Sequence, residues 1–326
     1  MSWSNVLELA VIFKWNSHLT TAYISHPECY AHDTGEGHPE TARRLSAIED
    51  RMIASGLSDF IRSIDAPEVT HDQLLRVHTA HHLAAMEAMM PSEGYARLDP
   101  DTVVSPQTLP AARRAAGAVV AAVDLVMSGK MQNAFCCVRP PGHHAESDRA
   151  MGFCLYSNLA VGVAHALETH GLRKVAIIDF DVHQGNGTED IFVGDDRVLY
   201  CSIFQHPFFP FTPPPENSDR IISIPLEASA GSEEFRAAVS DHWLPALQRF
   251  QPEMLFISAG FDAHRDDEMS DVNLTDADFR WVAEHMVRVA ADCCGDRIVS
   301  VLEGGYELHS LARCVEMHLR VLMGLH

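Results

Sequence analysis

Basic residues are scarce in this chain of 326 residues. Its 24 lysines and arginines are outnumbered by 45 aspartates and glutamates, which gives a formal net charge of −21. Proteins that bind nucleic acids need a basic face for phosphate contacts, so this balance argues against DNA or RNA as a partner. A negative field is compatible with a positively charged substrate, because it attracts cations.

The sequence also lacks the cysteine pattern of a disulfide framework. Its eight cysteines include two adjacent pairs, at 136–137 and 293–294, and none has Cys-x-x-Cys spacing. Several lie in apolar segments, as buried free thiols do. This usage predicts a reducing, cytoplasmic location.

Long hydrophobic runs are missing as well. An apolar patch at residues 6–13 is interrupted by Glu8, is too short to span a bilayer, and lacks the flanks of a signal peptide. We therefore expect no membrane partner. No internal repeat or composition break marks a linker, so we expect an N-terminal extension over residues 1–20 and a single domain over 21–326. Nothing in the sequence indicates an oligomeric state.

Short apolar, β-branched runs alternate with helical stretches along the rest of the chain. The predicted strands begin at residue 21 and span 134–138, 175–178, 198–204, 221–226, 254–258 and 298–302. The predicted helices span 39–55, 72–90, 111–128, 159–170, 233–250 and 276–293, with a last one from 308. Residues 91–110 hold four prolines and predict a long loop. This alternation predicts an α/β fold with a parallel sheet covered by helices on both faces.

The stretch VAIIDFDVHQGNG, residues 175–187, combines a buried strand with polar side chains at its end. Asp179, Asp181 and His183 occupy alternate positions, so an extended chain points all three to one side. Open α/β sheets bind ligands at the carboxyl ends of their strands. Carboxylate and imidazole together suit Zn²⁺ or a similar divalent ion, which makes all three residues candidate ligands.

Three more strand ends carry polar residues that packing does not require. They are RPPGHH at 139–144, SAGFD at 258–262 and EGGY at 303–306. Tandem histidines on a rigid Pro-Pro-Gly turn, His143 and His144, are candidates for acid-base catalysis. Adding Asp262 to Asp181 and His183 would give three ligands with an open position, as in catalytic zinc sites. With a phenolic donor to a developing oxyanion from Tyr306, these parts indicate hydrolysis of an amide or similar acyl bond.

At these residues the chain resembles the histone deacetylase family, which also includes acetylpolyamine amidohydrolases and acetoin-utilisation-type proteins. The motifs RPPGHHA, GFC, DFDVHQGNG, SAGFDAH and EGGY occur in the family's order, and the resemblance extends from about residue 21 to the C terminus. It implies the three-layer arginase-deacetylase α/β fold, with a central, mostly parallel sheet of about eight strands. It also implies a zinc-dependent amidohydrolase acting on an acetylated amine, either acetyl-lysine in a protein or a small acylated amine.

The resemblance further implies a role for each site residue. Zinc would be held by Asp181, His183 and Asp262, with His144 as the acid-base residue, His143 as its electrostatic partner and Tyr306 as the carbonyl polariser. Asp179 would lie behind His143 and on a structural cation, K⁺, whose oxygens come from Asp179, Asp181, His183, Ser202 and Ile203. The substrate channel would be formed by Gly152, Phe153, Phe209 and Met269.

The chain departs from the family pattern at three places. Asn186 stands where class I members carry an aspartate behind the second histidine, so the chain is more similar to class II. Residues 211–215 read FTPPP instead of a Pro-Gly-Thr-Gly run, which alters the rim of the channel. Met269 stands where polyamine-selective relatives place a glutamate, although Glu268 is its neighbour, and this favours acyl-lysine over long polyamines.

Three other functions are compatible with parts of this pattern. An acetylpolyamine amidohydrolase shares the chemistry. A binuclear manganese ureohydrolase shares the fold but needs further bridging carboxylates, which Asn186 and Phe261 do not offer. A non-catalytic acyl-amine-binding protein would be expected to lose Tyr306 or a histidine, and all are present.

Overall fold

A sheet of eight parallel strands forms the centre of the protein. The computed structural model describes residues 21–325, so the predicted extension over 1–20 lies outside the described residues. The strands within 21–325 are β1 (Thr21–Ser25), β2 (Arg62–Asp65), β3 (Ala96–Arg97), β4 (Val103–Val104), β5 (Asn133–Cys136), β6 (Val175–Asp179), β7 (Val198–Gln205), β8 (Ile221–Leu226), β9 (Met254–Ala259) and β10 (Ile298–Leu302). Eight of them pair in the order β2-β1-β5-β10-β9-β6-β7-β8, and β3 and β4 form a separate antiparallel hairpin.

Helices cover both faces of this sheet. They are α1 (Pro27–Ala31), α2 (Arg43–Ala54), α3 (His71–Leu74), α4 (Ala80–Met89), α5 (Thr108–Met127), α6 (Asn158–Glu168), α7 (Asn186–Phe192), α8 (Ser232–Ala238), α9 (Leu244–Phe250), α10 (Asp276–Val289) and α11 (Leu308–Leu322). Every residue of β5, β6, β7, β9 and β10 is buried. Because alternate strand residues point to opposite faces, burial of all of them requires cover on both sides. The predicted three-layer α/β fold is confirmed.

Several predicted boundaries were wrong for identifiable reasons. Strand β2 was missed because its residues RSID are mostly exposed at the edge of the sheet and form no apolar run. The predicted helix over 72–90 is two helices, because Thr70 caps α3 and Thr79 caps α4. The predicted loop over 91–110 contains the β3–β4 hairpin and the first turn of α5. The helices predicted over 233–250 and 276–293 contain π-helical turns, at Val239–Trp243 and Ala290–Cys294.

The strands that end in the predicted functional motifs are neighbours in the middle of the sheet. They are β5, β10, β9 and β6, four consecutive members of the strand order. Parallel pairing puts their carboxyl ends at one edge. Motifs whose residues contact across as many as 161 positions of the chain, as Gly142 and Glu303 do, therefore meet in one crevice.

The structure also bears on the predictions about disulfides and membrane-spanning helices. All eight cysteines are free thiols, and seven of them are buried, as the sequence predicted. Across residues 21–325, no helix combines the length and the apolar character needed to cross a membrane.

Candidate active site

A cavity of about 280 Å³ lies at the carboxyl ends of the central strands. Its wall is mostly apolar and aromatic, as in many ligand pockets. It is lined by Asp101, Pro141, His143, His144, Gly152, Phe153, His183, Phe208, Phe209, Phe211, Glu268, Met269, Gly304 and Tyr306. All four predicted channel residues belong to this wall. Asp101 and Phe208 had no predicted role.

Asp181, His183 and Asp262 converge beside this cavity. The Nδ1 atom of His183 lies 3.1 Å from Asp181 Oδ1 and 3.1 Å from Asp262 Oδ2. Both carboxylates are buried and accept backbone hydrogen bonds: the N–H groups of Gly304 and His183 donate to Asp181 at 2.8 and 2.9 Å, and Val182 N–H donates to Asp262 Oδ1 at 3.0 Å. A side chain at Gly304 would collide with both carboxylates, so only glycine fits there.

The charge of this trio favours a bound cation. Two buried carboxylates share a single imidazole here, and buried negative charge is costly unless positive charge compensates it. Burial lowers the pKa of His183, but its hydrogen bonds to Asp181 and Asp262 outweigh that effect and raise this pKa to about 9. Within residues 21–325, two other groups could hold a metal, Asp124–His165–His170 and His264–Asp276–Cys314. Neither lines the cavity, whereas the buried trio offers the N and O donors that zinc prefers.

His143 and His144 lie with their ring centres 4.0 Å apart. His143 Nδ1 is 3.2 Å from Asp179 Oδ2, and its Nε2 is 3.7 Å from Asp181 Oδ1. Burial lowers the pKa of His143, but the carboxylates of Asp181 and Asp179 outweigh burial and raise it to about 10. Burial together with the nearby His143 and His183 holds the pKa of His144 well below its usual range. One imidazole is therefore charged and its neighbour is neutral.

Asn186 and Glu146 determine which nitrogen of His144 carries the proton. The Nδ2 of Asn186 donates to Glu146 Oε1 at 2.7 Å, so its Oδ1 must face His144, whose Nδ1 lies 2.9 Å away. An amide oxygen only accepts, so Nδ1 of His144 is the protonated nitrogen. In the neutral ring the lone pair is therefore on Nε2, and His144 lines the cavity. Asn186 was named from the sequence, whereas Glu146 was not.

Asp179 and Ser202 are paired across β6 and β7. Asp179 Oδ2 accepts a hydrogen bond from the Tyr200 hydroxyl at 2.9 Å, and Oδ1 accepts one from Asp181 N–H at 3.2 Å. The hydroxyl oxygen of Ser202 is buried and has no hydrogen-bond partner among residues 21–325. This is the kind of oxygen that a cation or a water molecule would satisfy.

Two phenylalanine rings pack against the candidate catalytic residues His144 and Tyr306. Phe209 stands edge-on to His144, with ring centres 5.0 Å apart, and Phe153 stands edge-on to Tyr306 at 6.0 Å. Phe153 adopts a φ of 69° after Gly152 at 55°. A Cβ on Gly152 would lie 2.5 Å from the His144 ring, so this close approach also requires glycine.

A family model for the histone deacetylase domain matches residues 38–322. The chain belongs to the histone deacetylase family. It is 38% identical to a histone deacetylase-like amidohydrolase from Pseudomonas aeruginosa over 82% of this chain and 71% of that protein. It is 33% identical to type-2 histone deacetylase 2 of Dictyostelium discoideum over 93% of this chain, and it spans 21% of that longer protein. The solved structure of the HDA15 HD domain superposes with a TM-score of 0.87 at 33% identity, covering 94% of this chain and 90% of that one.

Membership of the deacetylase family confirms the resemblance and the arginase-deacetylase fold predicted from the motifs. It makes the chain a deacetylase or amidohydrolase by family.

The protein also contains a buried charge network that the sequence motifs did not predict. Glu303 Oε2 accepts the N–H groups of Gly142 and His143 at 2.7 and 3.2 Å, which ties the histidine turn to the end of β10. Arg44 donates to the carbonyl of Gly305 at 2.6 Å, and its guanidinium lies 4.9 Å from the Tyr306 ring centre. A charged residue directly after a buried strand was the available signal for Glu303. The placement of Arg44 had no local signal, since it lies on a separate helix.

Glu40 completes this network between two arginines. Its carboxylate pairs with Arg139 Nη2 at 2.7 Å and with Arg44 Nη1 at 3.2 Å, and all three side chains are fully buried. Burial raises the pKa of Glu40, but Arg139 outweighs it and holds this pKa at about 2. The network fixes the turn before His143 and the loop before Tyr306 relative to each other.

Proposed function

We propose that this protein is a zinc-dependent deacetylase that hydrolyses the amide bond of an N-acetylated amine, either acetyl-lysine in a protein or a small acylated amine. One observation carries the proposal. A buried Asp181–His183–Asp262 trio meets an apolar cavity lined by His144 and Tyr306. The proposal includes a single catalytic domain over residues 21–326.

Asp181, His183 and Asp262 would hold the zinc ion. When bound there, zinc supplies Lewis-acid catalysis for amide hydrolysis. Three protein ligands are the usual number in catalytic zinc sites, which keep a further position open. The ligand set also favours one metal ion over the binuclear manganese centre of a ureohydrolase, because within residues 21–325 no fourth histidine, cysteine or carboxylate belongs to this cluster of candidate ligands.

His144 would act as the general base and then as the general acid. Its Nε2 carries no proton, because Asn186 requires the proton at Nδ1. Nε2 can therefore take a proton from the attacking water and deliver it to the leaving nitrogen. His143, held by Asp179, would keep a positive charge beside the reacting atoms.

Tyr306 would donate a hydrogen bond from its hydroxyl to the carbonyl oxygen of the acyl group. Burial raises the pKa of Tyr306 well above its usual range, so the phenol keeps its proton. A donor aimed at the oxygen on which charge develops is often worth a few kcal/mol, about 3 kcal/mol in comparable sites. These intact residues also disfavour a non-catalytic binding protein.

The cavity wall supports a substrate with an extended apolar stem. Phe153 and Phe209 would flank the methylene chain of an acyl-lysine, with Gly152 allowing the close approach and Met269 giving an apolar entrance. A second candidate, acetylpolyamine hydrolysis, is supported by the exposed carboxylate of Glu268, which also lines the cavity and could meet a distal ammonium group.

A structural K⁺ ion is the second cofactor that we propose. Asp179 and Ser202 would contribute side-chain oxygens, with Asp181, His183 and Ile203 completing the shell. The support is the buried, unpaired hydroxyl of Ser202 beside the Asp179 carboxylate.

An activity assay with metal analysis tests this function. The purified protein should turn over an acetyl-lysine fluorogenic peptide or an N-acetylated polyamine and contain one zinc per chain. A chelator should abolish turnover and added zinc should restore it. The Asp262→Asn variant should lose zinc, whereas the exposed control Asp196→Asn should not. Absence of turnover on every substrate with zinc bound would refute the proposal, and two manganese ions per chain would revive the ureohydrolase.

A further inference from the structure

A second cavity, of about 380 Å³, opens beside the edge strands β1 and β2. It shares no lining residue with the active-site cavity. Its lining includes the side chains of Tyr23 and Ser25 from β1, Tyr30 from α1, Glu49 from α2 and Asp65 from β2. Its volume is that of a site for a small organic molecule rather than for a single metal ion.

Three unpaired hydroxyl groups meet in this cavity. Nine buried polar side-chain atoms make no hydrogen bond of normal geometry among residues 21–325, and three of these are the hydroxyl oxygens of Tyr23, Ser25 and Tyr30. The Tyr23 hydroxyl faces the Cys137 thiol, and the Tyr30 hydroxyl faces the Glu49 carboxylate. The side chain of Tyr23 is only 5% exposed. Buried polar atoms without partners are costly, so such a concentration indicates that something absent from the chain satisfies them.

The charge of the wall defines which ligand chemistry fits. Glu49 and Asp65 contribute carboxylates, and no lysine or arginine lines the cavity. His26 also lines it, and its Nδ1 accepts the N–H of Glu28 at 3.2 Å. A carboxylate or phosphate ligand would be repelled, whereas a cation would be attracted. The hydroxyl and carboxylate oxygens can each accept a hydrogen bond, and the apolar side chains of Pro27 and Ile64 complete the wall.

We propose that this cavity binds a primary alkylammonium ion. Its NH₃⁺ group has three N–H donors, which suit the hydroxyl oxygens and the Glu49 carboxylate. Its alkyl chain would pack on Pro27 and Ile64. Hard metal ions fit less well, because they require six or more closely placed oxygen ligands. This site is independent of the proposed deacetylase chemistry, because the two cavities have no lining residue in common.

Thermal unfolding of the full chain tests this site. The probe is n-butylammonium chloride, compared at equal ionic strength with tetramethylammonium chloride, which has the same charge but no N–H donor, and with sodium chloride. We expect a saturable rise in Tm with n-butylammonium and none with the other two salts. Glu49→Gln should weaken the apparent affinity at least about tenfold, the usual effect of losing a charge-assisted hydrogen bond.

Matched variants separate this cavity from the active site and from the surface. Asp50→Asn changes the exposed neighbour of Glu49 on α2 and should leave the rise in Tm unchanged, as should His144→Ala in the active site. Tyr23→Phe and Ser25→Ala should each reduce the affinity for n-butylammonium. If Tyr23→Phe does not fold, Ser25→Ala still tests the site. The proposal is overturned by an equal response to tetramethylammonium or sodium, by no response at all, as expected if only water fills the cavity, or by an unchanged response in Glu49→Gln.

Discussion

The buried carboxylate of Asp267 holds the backbone of Tyr306. Its Oδ2 accepts hydrogen bonds from the N–H groups of Tyr306 at 2.6 Å and Glu307 at 3.0 Å. Its Oδ1 accepts the N–H of Met269 at 3.0 Å. One carboxylate therefore links the residue proposed to polarise the carbonyl to the residue at the cavity entrance.

We expect Asp267→Asn to lower kcat by about tenfold or more, with little effect on the zinc content. The asparagine amide would replace one accepting oxygen with a donor that faces backbone N–H groups, which costs on the order of 1–3 kcal/mol. Tyr306 would then lose its position. Steady-state kinetics measure the effect, and Asp266→Asn, which changes the exposed neighbour, is the control. In a Tyr306→Phe background the same change should cost little, and a full additional loss there would show that Asp267 does not act through Tyr306.

Replacing Tyr306 by phenylalanine should reduce kcat by roughly 10²–10³-fold, because it removes a donor to the developing oxyanion. Zinc binding should remain intact, because Tyr306 is not among the three ligands. Kinetics and metal analysis on one preparation separate the two effects. Tyr95→Phe changes an exposed tyrosine outside the cavity wall and should be neutral. Intact activity in Tyr306→Phe would remove Tyr306 from the mechanism.

Changing Asn186 to aspartate should alter the protonation of His144. A carboxylate beside Nδ1 favours the imidazolium, so the acidic limb of the kcat/KM profile should move up by about one pH unit. The new charge would also lie against Glu146, which contacts the Asn186 amide in the native protein.

The double variant Asn186→Asp with Glu146→Gln relieves that repulsion and should recover stability while retaining the shifted profile. Glu146→Gln alone keeps an acceptor for Asn186 and serves as the control. A pH profile that does not move in Asn186→Asp would contradict the assigned tautomer.

Glu189 should make the free energy of unfolding depend on pH. It is 9% exposed and accepts hydrogen bonds from Gln184 at 2.7 Å and Ser223 at 3.0 Å. Burial raises its pKa from 4.5 to about 7. Between pH 4.5 and about pH 7 the folded state holds a proton on Glu189 that the unfolded state has released, so the free energy of unfolding falls as the pH rises. The stabilisation from protonated Glu189 is complete below pH 4.5 and is lost as the pH rises through about 7.

The Glu189→Gln variant, which can satisfy both partners without ionising, should therefore gain stability relative to the native chain by up to about 3 kcal/mol between pH 5 and pH 8. Urea unfolding at several pH values measures this difference. The exposed control Glu36→Gln should show no such trend. Parallel pH curves for Glu189→Gln and the native chain would show that Glu189 is ionised throughout.

The motifs at the ends of β5, β6, β9 and β10 could be predicted because they depend on local physics. A buried strand needs an apolar run, and alternate residues of an extended chain share one side. Asp179, Asp181 and His183 could therefore be named from spacing as candidate ligands. The edge strand β2 and the break between α3 and α4 were missed, because an exposed edge has no apolar run and hydrophobicity alone does not show capping threonines.

The sequence by itself determined the α/β class and the residue types available for a metal site and for proton transfer. The tertiary structure alone decided their arrangement. Spacing could not separate Asp179 from Asp181, yet Asp181 lies with His183 and Asp262, whereas Asp179 contacts His143 and Tyr200. The contacts of Glu303 with Gly142 and of Asp267 with Tyr306 span 161 and 39 residues. They follow from the order of strands in the sheet, which is set by packing of the whole chain and has no local signature.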